Sequence, residues 1–101
     1  MLKGNEKLNI SIVRTALNPV FKKYNVKKAV LFGSVAKDTN NIDSDVDVLV
    51  DSGLKGFNFL GLVEDMHVAL NKPVDVFDVS HIIKGSKTEK EIENTGVIIY
   101  D

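Results

Sequence analysis

The stretch from Leu31 to Asp47 carries the residues whose types and spacing bear most directly on chemistry. An apolar run ends abruptly at Gly33-Ser34, where the missing Cβ lets an anion such as phosphate approach the backbone N–H groups and the Ser34 hydroxyl adds a donor. Ten residues separate that pair from Asp45-Val46-Asp47. If this segment is a strand, Asp45 and Asp47 leave the same face about 6–7 Å apart. Like charges that close repel, so they raise a pKa or cost stability unless a cation sits between them. Hard divalent ions such as Mg²⁺ accept carboxylate oxygens and are the usual remedy. Asp75 bears the same relation to the valines of its own segment, and a neighbouring strand would bring it beside the pair.

The elements that must hold these groups are legible in the spacing of apolar residues. Ile10, Val13, Leu17, Val20, Phe21 and Tyr24 recur at three and four and predict a helix from Ile10 to Tyr24, capped by Asn9 or Ser11 and ended by Asn25. Pro19 either bends that helix or opens a shorter one capped by Asn18. Lys28 to Phe32 reads as a buried strand and Ser44 to Asp51 as a half-buried one, with Val46, Val48 and Val50 facing opposite to Asp45, Asp47 and Leu49. After a loop from Gly53 to Gly56, the spacing predicts a helix from Phe57 to Leu70 with Phe59, Val63, Met66 and Leu70 as its apolar stripe. Pro73 opens a strand from Val74 to Val79. Thr88 to Glu91 has the capping-box pattern and Gly96 stands where a left-handed helix stop is expected, which brackets a short last helix. Val97 to Tyr100 adds an edge strand or packed tail. The order helix, strand, strand, helix, strand, helix, strand predicts an α/β fold with a small mixed sheet and flanking helices.

Composition narrows the partners. With 101 residues the chain has room for a single domain over 1–101 and none for a separate substrate-binding domain. Thirteen basic and 14 acidic side chains leave a net charge of -1, which gives no bulk attraction to long nucleic acid. The absence of cysteine excludes disulfides and thiolate zinc sites and fits a reducing compartment. No apolar run approaches the roughly 20 residues that span a bilayer, and Met1 to Glu6 lacks the apolar core of a signal peptide. A cytoplasmic protein without a membrane partner is expected.

Gly33-Ser34, ten residues and Asp45-Val46-Asp47, followed by Lys72-Pro73-Val74-Asp75 on a later strand, resemble the signature of the DNA polymerase beta nucleotidyltransferase superfamily, specifically its minimal nucleotidyltransferases (MNT). The resemblance extends to the preceding helix and to Ile92–Tyr100, nearly the whole chain. It implies the polymerase-beta-like fold and a two-metal transfer of a nucleoside monophosphate, AMP from ATP, with pyrophosphate leaving. Asp45 and Asp47 would hold both Mg²⁺ ions, Asp75 would complete the site and help accept the proton of the attacking hydroxyl, and Gly33 and Ser34 would cradle the terminal phosphates. Where many members carry Ala-Arg-Gly, this chain has Ala36-Lys37-Asp38. Lys37 keeps a positive charge for the triphosphate without the bidentate fork, and Asp38 places a Cβ and a negative charge at a turn. Members acting on antibiotics or RNA carry a further domain that presents the acceptor. Its absence favours the two-component arrangement, in which an MNT antitoxin modifies a tyrosine hydroxyl of a helical HEPN toxin. A subunit that binds nucleotide and neutralises its partner by contact alone is the alternative.

Plainer roles stand beside these. An aspartate pair on a strand also guards an edge against aggregation. Asp78 competes with Asp75 for the third position but has the opposite parity, while Asp43 and Asp51 read as solvated. His67 reads as a boundary packing residue and cannot share a metal with His81 at any usual ligand spacing. Gly61 and Val68 lie on the otherwise polar face of their helix, where chance or a partner contact would put them. The lysine pairs Lys22-Lys23 and Lys27-Lys28 read as a solvated face.

Overall fold

A computed structural model describes Leu2 and residues 6–101. Part of the N-terminal stretch considered above for a signal peptide, Met1 and Lys3 to Asn5, lies outside the described residues. Helix α1 (Ile10–Lys23) starts where the Asn9 side chain accepts the Ile12 N–H at 2.8 Å, and it runs on through Pro19, so Asn18 opens no second helix. Asn25 turns the chain with a φ of 55°, the left-handed region that asparagine tolerates, and delivers it into β1 (Lys28–Phe32). Then follow β2 (Val46–Asp51), α2 (Gly56–Leu70), β3 (Val74–Asp78), a 3₁₀ turn (Val79–His81), α3 (Lys87–Thr95) and β4 (Val97–Tyr100).

The four strands form one mixed sheet in the order β3-β2-β1-β4. β1 is antiparallel to β2 and β4, whereas β2 and β3, joined through α2, are parallel. This is the expected architecture. Alternation along the strands sends Ala29, Leu31, Val46, Val48, Val50 and Val74 to one face, where they pack with Val13, Leu17 and Phe21 of α1 and Leu62, Met66 and Leu70 of α2. The opposite face carries Phe32, Asp47, Leu49, Asp75 and Phe77. Removing apolar area from water on the first face stabilises the fold and leaves the second for chemistry.

Several expectations shift in detail. β2 begins at Val46 rather than Ser44, because Asn41 to Ser44 close a turn of their own: the Ser44 N–H donates to the Asn41 carbonyl at 3.1 Å and the Asn41 N–H to the Ser44 hydroxyl at 2.9 Å. The cap of α3 is Ser86, which accepts the Glu89 N–H at 3.2 Å, so the helix starts ahead of Thr88. Gly96 has a φ of -62° and is no left-handed stop. It is needed for space, since a Cβ there would lie 2.5 Å from the Ile92 carbonyl and 2.9 Å from Val30 Cγ1. On α2 the fully buried residues are Leu62, Met66 and Leu70, so Met66 and Leu70 of the expected stripe hold, while Val63 and Phe59 are half-buried at the margin. His67 ties α2 to β3, its Nε2 lying 3.0 Å from the Val74 carbonyl. Gly61 likewise has a packing role, facing the Tyr24 hydroxyl, which donates to Asp65 at 2.9 Å.

Candidate active site

Asp47 and Asp75 stand directly opposite one another on the parallel pair β2 and β3. Identical spacing from the two strand starts puts both carboxylates on the face away from α1 and α2. Asp47 is half-buried, Asp75 is exposed, and Asp45 lies exposed in the segment just before β2. Phe32, the cross-strand partner of Asp47, belongs to the same face, and its ring reaches that of Phe77 across β2 with centroids 5.7 Å apart. Aromatic surface therefore removes water from one side of Asp47. Burial first, then the charges of Asp75 and Asp45, the carboxyl–carboxyl hydrogen bond with Asp75, and Glu91 push the Asp47 carboxyl up from 3.8 to about 6. The site holds more negative charge than its surroundings favour.

Gly33 closes the site from the β1 side. Its φ of 79° is left-handed, and a Cβ there would come within 2.5 Å of Asp47 Oδ2. The glycine thus serves the fold and the carboxylate directly, beyond the room that it leaves for an anion. After it the backbone winds into one tight turn, with Lys37 N–H donating to the Gly33 carbonyl at 3.1 Å, Asp38 N–H to Val35 at 3.2 Å and Thr39 N–H to Ser34 at 3.0 Å. The amides of Ser34, Val35 and Ala36 make no hydrogen bond among the described residues. Asp38 adopts a φ of 58°, the left-handed conformation where a glycine costs least, and its side chain lies 3.6 Å from Lys7. Lys37 is exposed and has no ion-pair partner among the described residues.

Two residues of α3 that the sequence does not mark as site residues reach this site. Glu91 adds a fourth negative charge near Asp47, and Thr95 accepts the Gly33 N–H at 2.8 Å. Sixty-two positions separate Thr95 from Gly33, and no local pattern marks such a contact. Asp78, the competitor of Asp75, faces away and is buried. Burial opposes its ionisation, but hydrogen bonds from the Ser52 hydroxyl at 2.6 Å, the Ser80 hydroxyl at 2.7 Å and both backbone N–H groups outweigh it and hold the carboxyl at about 2. Its role is to clasp the ends of β2 and β3.

The donor set suits a hard divalent cation: several carboxylate oxygens, no soft ligand, and a surplus of negative charge that such an ion would neutralise. Among the described residues no three His, Cys, Asp or Glu side chains already enclose an ion position. Asp45 and Asp75 are exposed and can turn toward one at small cost. No helix among the described residues is long and apolar enough to cross a membrane.

Comparisons with known proteins agree with this fold. The family model described as Polymerase beta, Nucleotidyltransferase matches residues 15–101. A Methanocaldococcus jannaschii protein assigned as a protein adenylyltransferase is 35% identical over 78 residues, covering 74% of this chain and 83% of its own length. Among solved structures, a chain of a toxin–antitoxin complex with AMP-PNP superposes with a TM-score of 0.71 at 20% identity, over 86% of this chain and 72% of that one. A chain of the complex between a tri-AMPylated Shewanella oneidensis HEPN toxin and its MNT antitoxin superposes with a TM-score of 0.66 at 17% identity, over 90% and 71%. These two likenesses are of fold.

Proposed function

The chain belongs to the polymerase beta nucleotidyltransferase family, and from that premise we propose that it moves AMP from ATP to a hydroxyl on a partner protein. The acceptor is a tyrosine of a helical HEPN-type toxin, which makes this chain the antitoxin of the pair. The observation that carries the proposal is the juxtaposition of Asp47 with Asp75 and Gly33, with Asp45 two residues before Asp47. An M. jannaschii relative assigned to protein adenylylation supports the reaction class, and fold neighbours drawn from HEPN/MNT complexes support the partner.

The chain's own groups divide the work. The free amides of Ser34, Val35 and Ala36, the Ser34 hydroxyl and the Lys37 ammonium bind the β- and γ-phosphates and orient the triphosphate. Asp45, Asp47 and Asp75 would hold two Mg²⁺ ions, which when bound supply positive charge against the reacting phosphoryl oxygens. Asp75, at the exposed rim, takes the proton of the acceptor hydroxyl as the new O–P bond forms on the α-phosphorus and the bond to pyrophosphate breaks. Phe32 and Phe77 exclude water beside Asp47, which strengthens every charge interaction there. Most of the acceleration is electrostatic and positional.

Titration calorimetry with ATP and Mg²⁺ tests the site. The parent binds in a metal-dependent way and the Asp45→Asn/Asp47→Asn variant does not. Equal binding by both would place the nucleotide elsewhere.

A further inference from the structure

The Gly33 N–H, first in the turn that follows β1, is satisfied neither by the backbone nor by an open solvent face. It donates to Thr95 Oγ1 at 2.8 Å, while the Thr95 hydroxyl donates its own proton to the Glu91 carbonyl at 2.7 Å. The second bond fixes the rotor of the hydroxyl, so a lone pair is held toward Gly33. Thr95 itself has little freedom to drift. It is the last residue of α3, and the next residue, Gly96, sits so close to Val30 of β1 that a Cβ would fall 2.9 Å from Val30 Cγ1. The end of α3 is thus seated against β1 at Val30, a few residues before the Gly33-Ser34 corner.

Gly33 has the backbone with most freedom to swing, and its φ of 79° is one of several that a glycine can adopt. The bond to Thr95 selects that conformation. It orients the Gly33 peptide, keeps Asp47 Oδ2 in the space that a side chain would fill, and leaves the next three amides as the turn's unpaired donors. We infer that Thr95 is a positioning residue for nucleotide binding, acting through Gly33 and touching neither phosphate nor metal. The inference rests on the nucleotidyltransferase function proposed above and adds to it a contact from the far end of the chain.

The test is ATP affinity in the presence of Mg²⁺, measured by calorimetry on the full chain and on Thr95→Val and Thr95→Ser, each well below its melting temperature. Losing one neutral hydrogen bond that holds the turn should weaken ATP about three- to tenfold in Thr95→Val. Thr95→Ser keeps the hydroxyl and should restore the parent affinity. With an acceptor supplied, the loss should appear in KM for ATP and leave kcat unchanged, since the interaction is the same in ground and transition states. Should Thr95→Val melt near the working temperature, Thr95→Ala removes the hydroxyl without crowding β1 and serves the same comparison. A lower melting temperature with unchanged ATP affinity would overturn the inference and leave Thr95 a purely structural contact. Failure of Thr95→Ser to restore affinity would also overturn it. A parent protein that binds no ATP would overturn the nucleotidyltransferase proposal itself, an outcome visible before any variant is made.

Discussion

Replacing Asp47 by asparagine should make the metal-free protein more stable at neutral pH. The Asp47 carboxyl is raised from 3.8 to about 6 by burial and by the charges of Asp75, Asp45 and Glu91. A difference of 2.2 between those values corresponds to about 3 kcal/mol against the ionised form, at about 1.36 kcal/mol per pH unit. Asp47 keeps some contact with solvent, which screens its neighbours, so about 1–2 kcal/mol is the expected effect. Because the folded-state pKa is raised, the stability associated with the proton is complete below 3.8 and lost as the pH rises through about 6. Asparagine is neutral throughout. The variant should therefore melt about 5–10 °C above the parent at pH 7.5 without divalent ions, and its advantage should shrink through pH 6 and be small near pH 4. Adding Mg²⁺ at pH 7.5 should raise the parent and leave the variant nearly unmoved, closing the gap. Denaturation scans over pH 4–7.5 with and without Mg²⁺ measure both effects. A variant equal to or less stable than the parent at pH 7.5 would refute the argument that the carboxylates are crowded.

Other residues give predictions of different sign. Asp78→Ala should destabilise by about 2 kcal/mol at neutral pH, because the folded carboxyl sits at about 2 and its stabilisation, present above 3.8, is lost as the pH falls through about 2. Urea unfolding at pH 7 and pH 3 should show that cost shrinking in acid. Gly33→Ala should lose about 1–2 kcal/mol from its left-handed φ alone, and more because the new methyl meets Asp47 Oδ2, again by urea unfolding. On α2, Leu62→Ala should cost about 2–5 kcal/mol and Val63→Ala much less, the reverse of what helical spacing predicts for these neighbours.

The helices, the strands and the mixed sheet were legible because apolar spacing in this chain is regular and its turns carry glycine, proline or asparagine. The three aspartates were legible for a related reason. Charged residues interrupting valine-rich strands at a fixed parity share a face, and β2 and β3 then pair in the register that sets Asp47 against Asp75. Parity also predicts that Asp75 and Asp78 take opposite faces, and they do, with Asp75 beside Asp47 and Asp78 buried. β2 starts later than alternation predicts because Asn41 and Ser44 form a side-chain-closed turn that competes with the strand ladder. Gly96 is required for packing and not for a left-handed φ, which local pattern cannot show because the pressure of Val30 comes from tertiary structure. Glu91 and Thr95 were invisible for the same cause: their proximity to Asp47 and Gly33 depends on how α3 docks against β1.

The central claim is that this chain transfers AMP to a hydroxyl of a partner protein, and the most direct measurement is the intact mass of that partner. The protein encoded next to this one, co-expressed with it, should gain the mass of one or more AMP units on a tyrosine when ATP and Mg²⁺ are present. Asp75→Asn should abolish the gain while the two proteins still form a complex, because the substitution removes the carboxylate proposed to hold metal and accept the proton and keeps the size and shape of the side chain. A partner of unchanged mass, with ATP and metal shown to be bound and neutralisation persisting in Asp75→Asn, would contradict the claim and point to inhibition by contact.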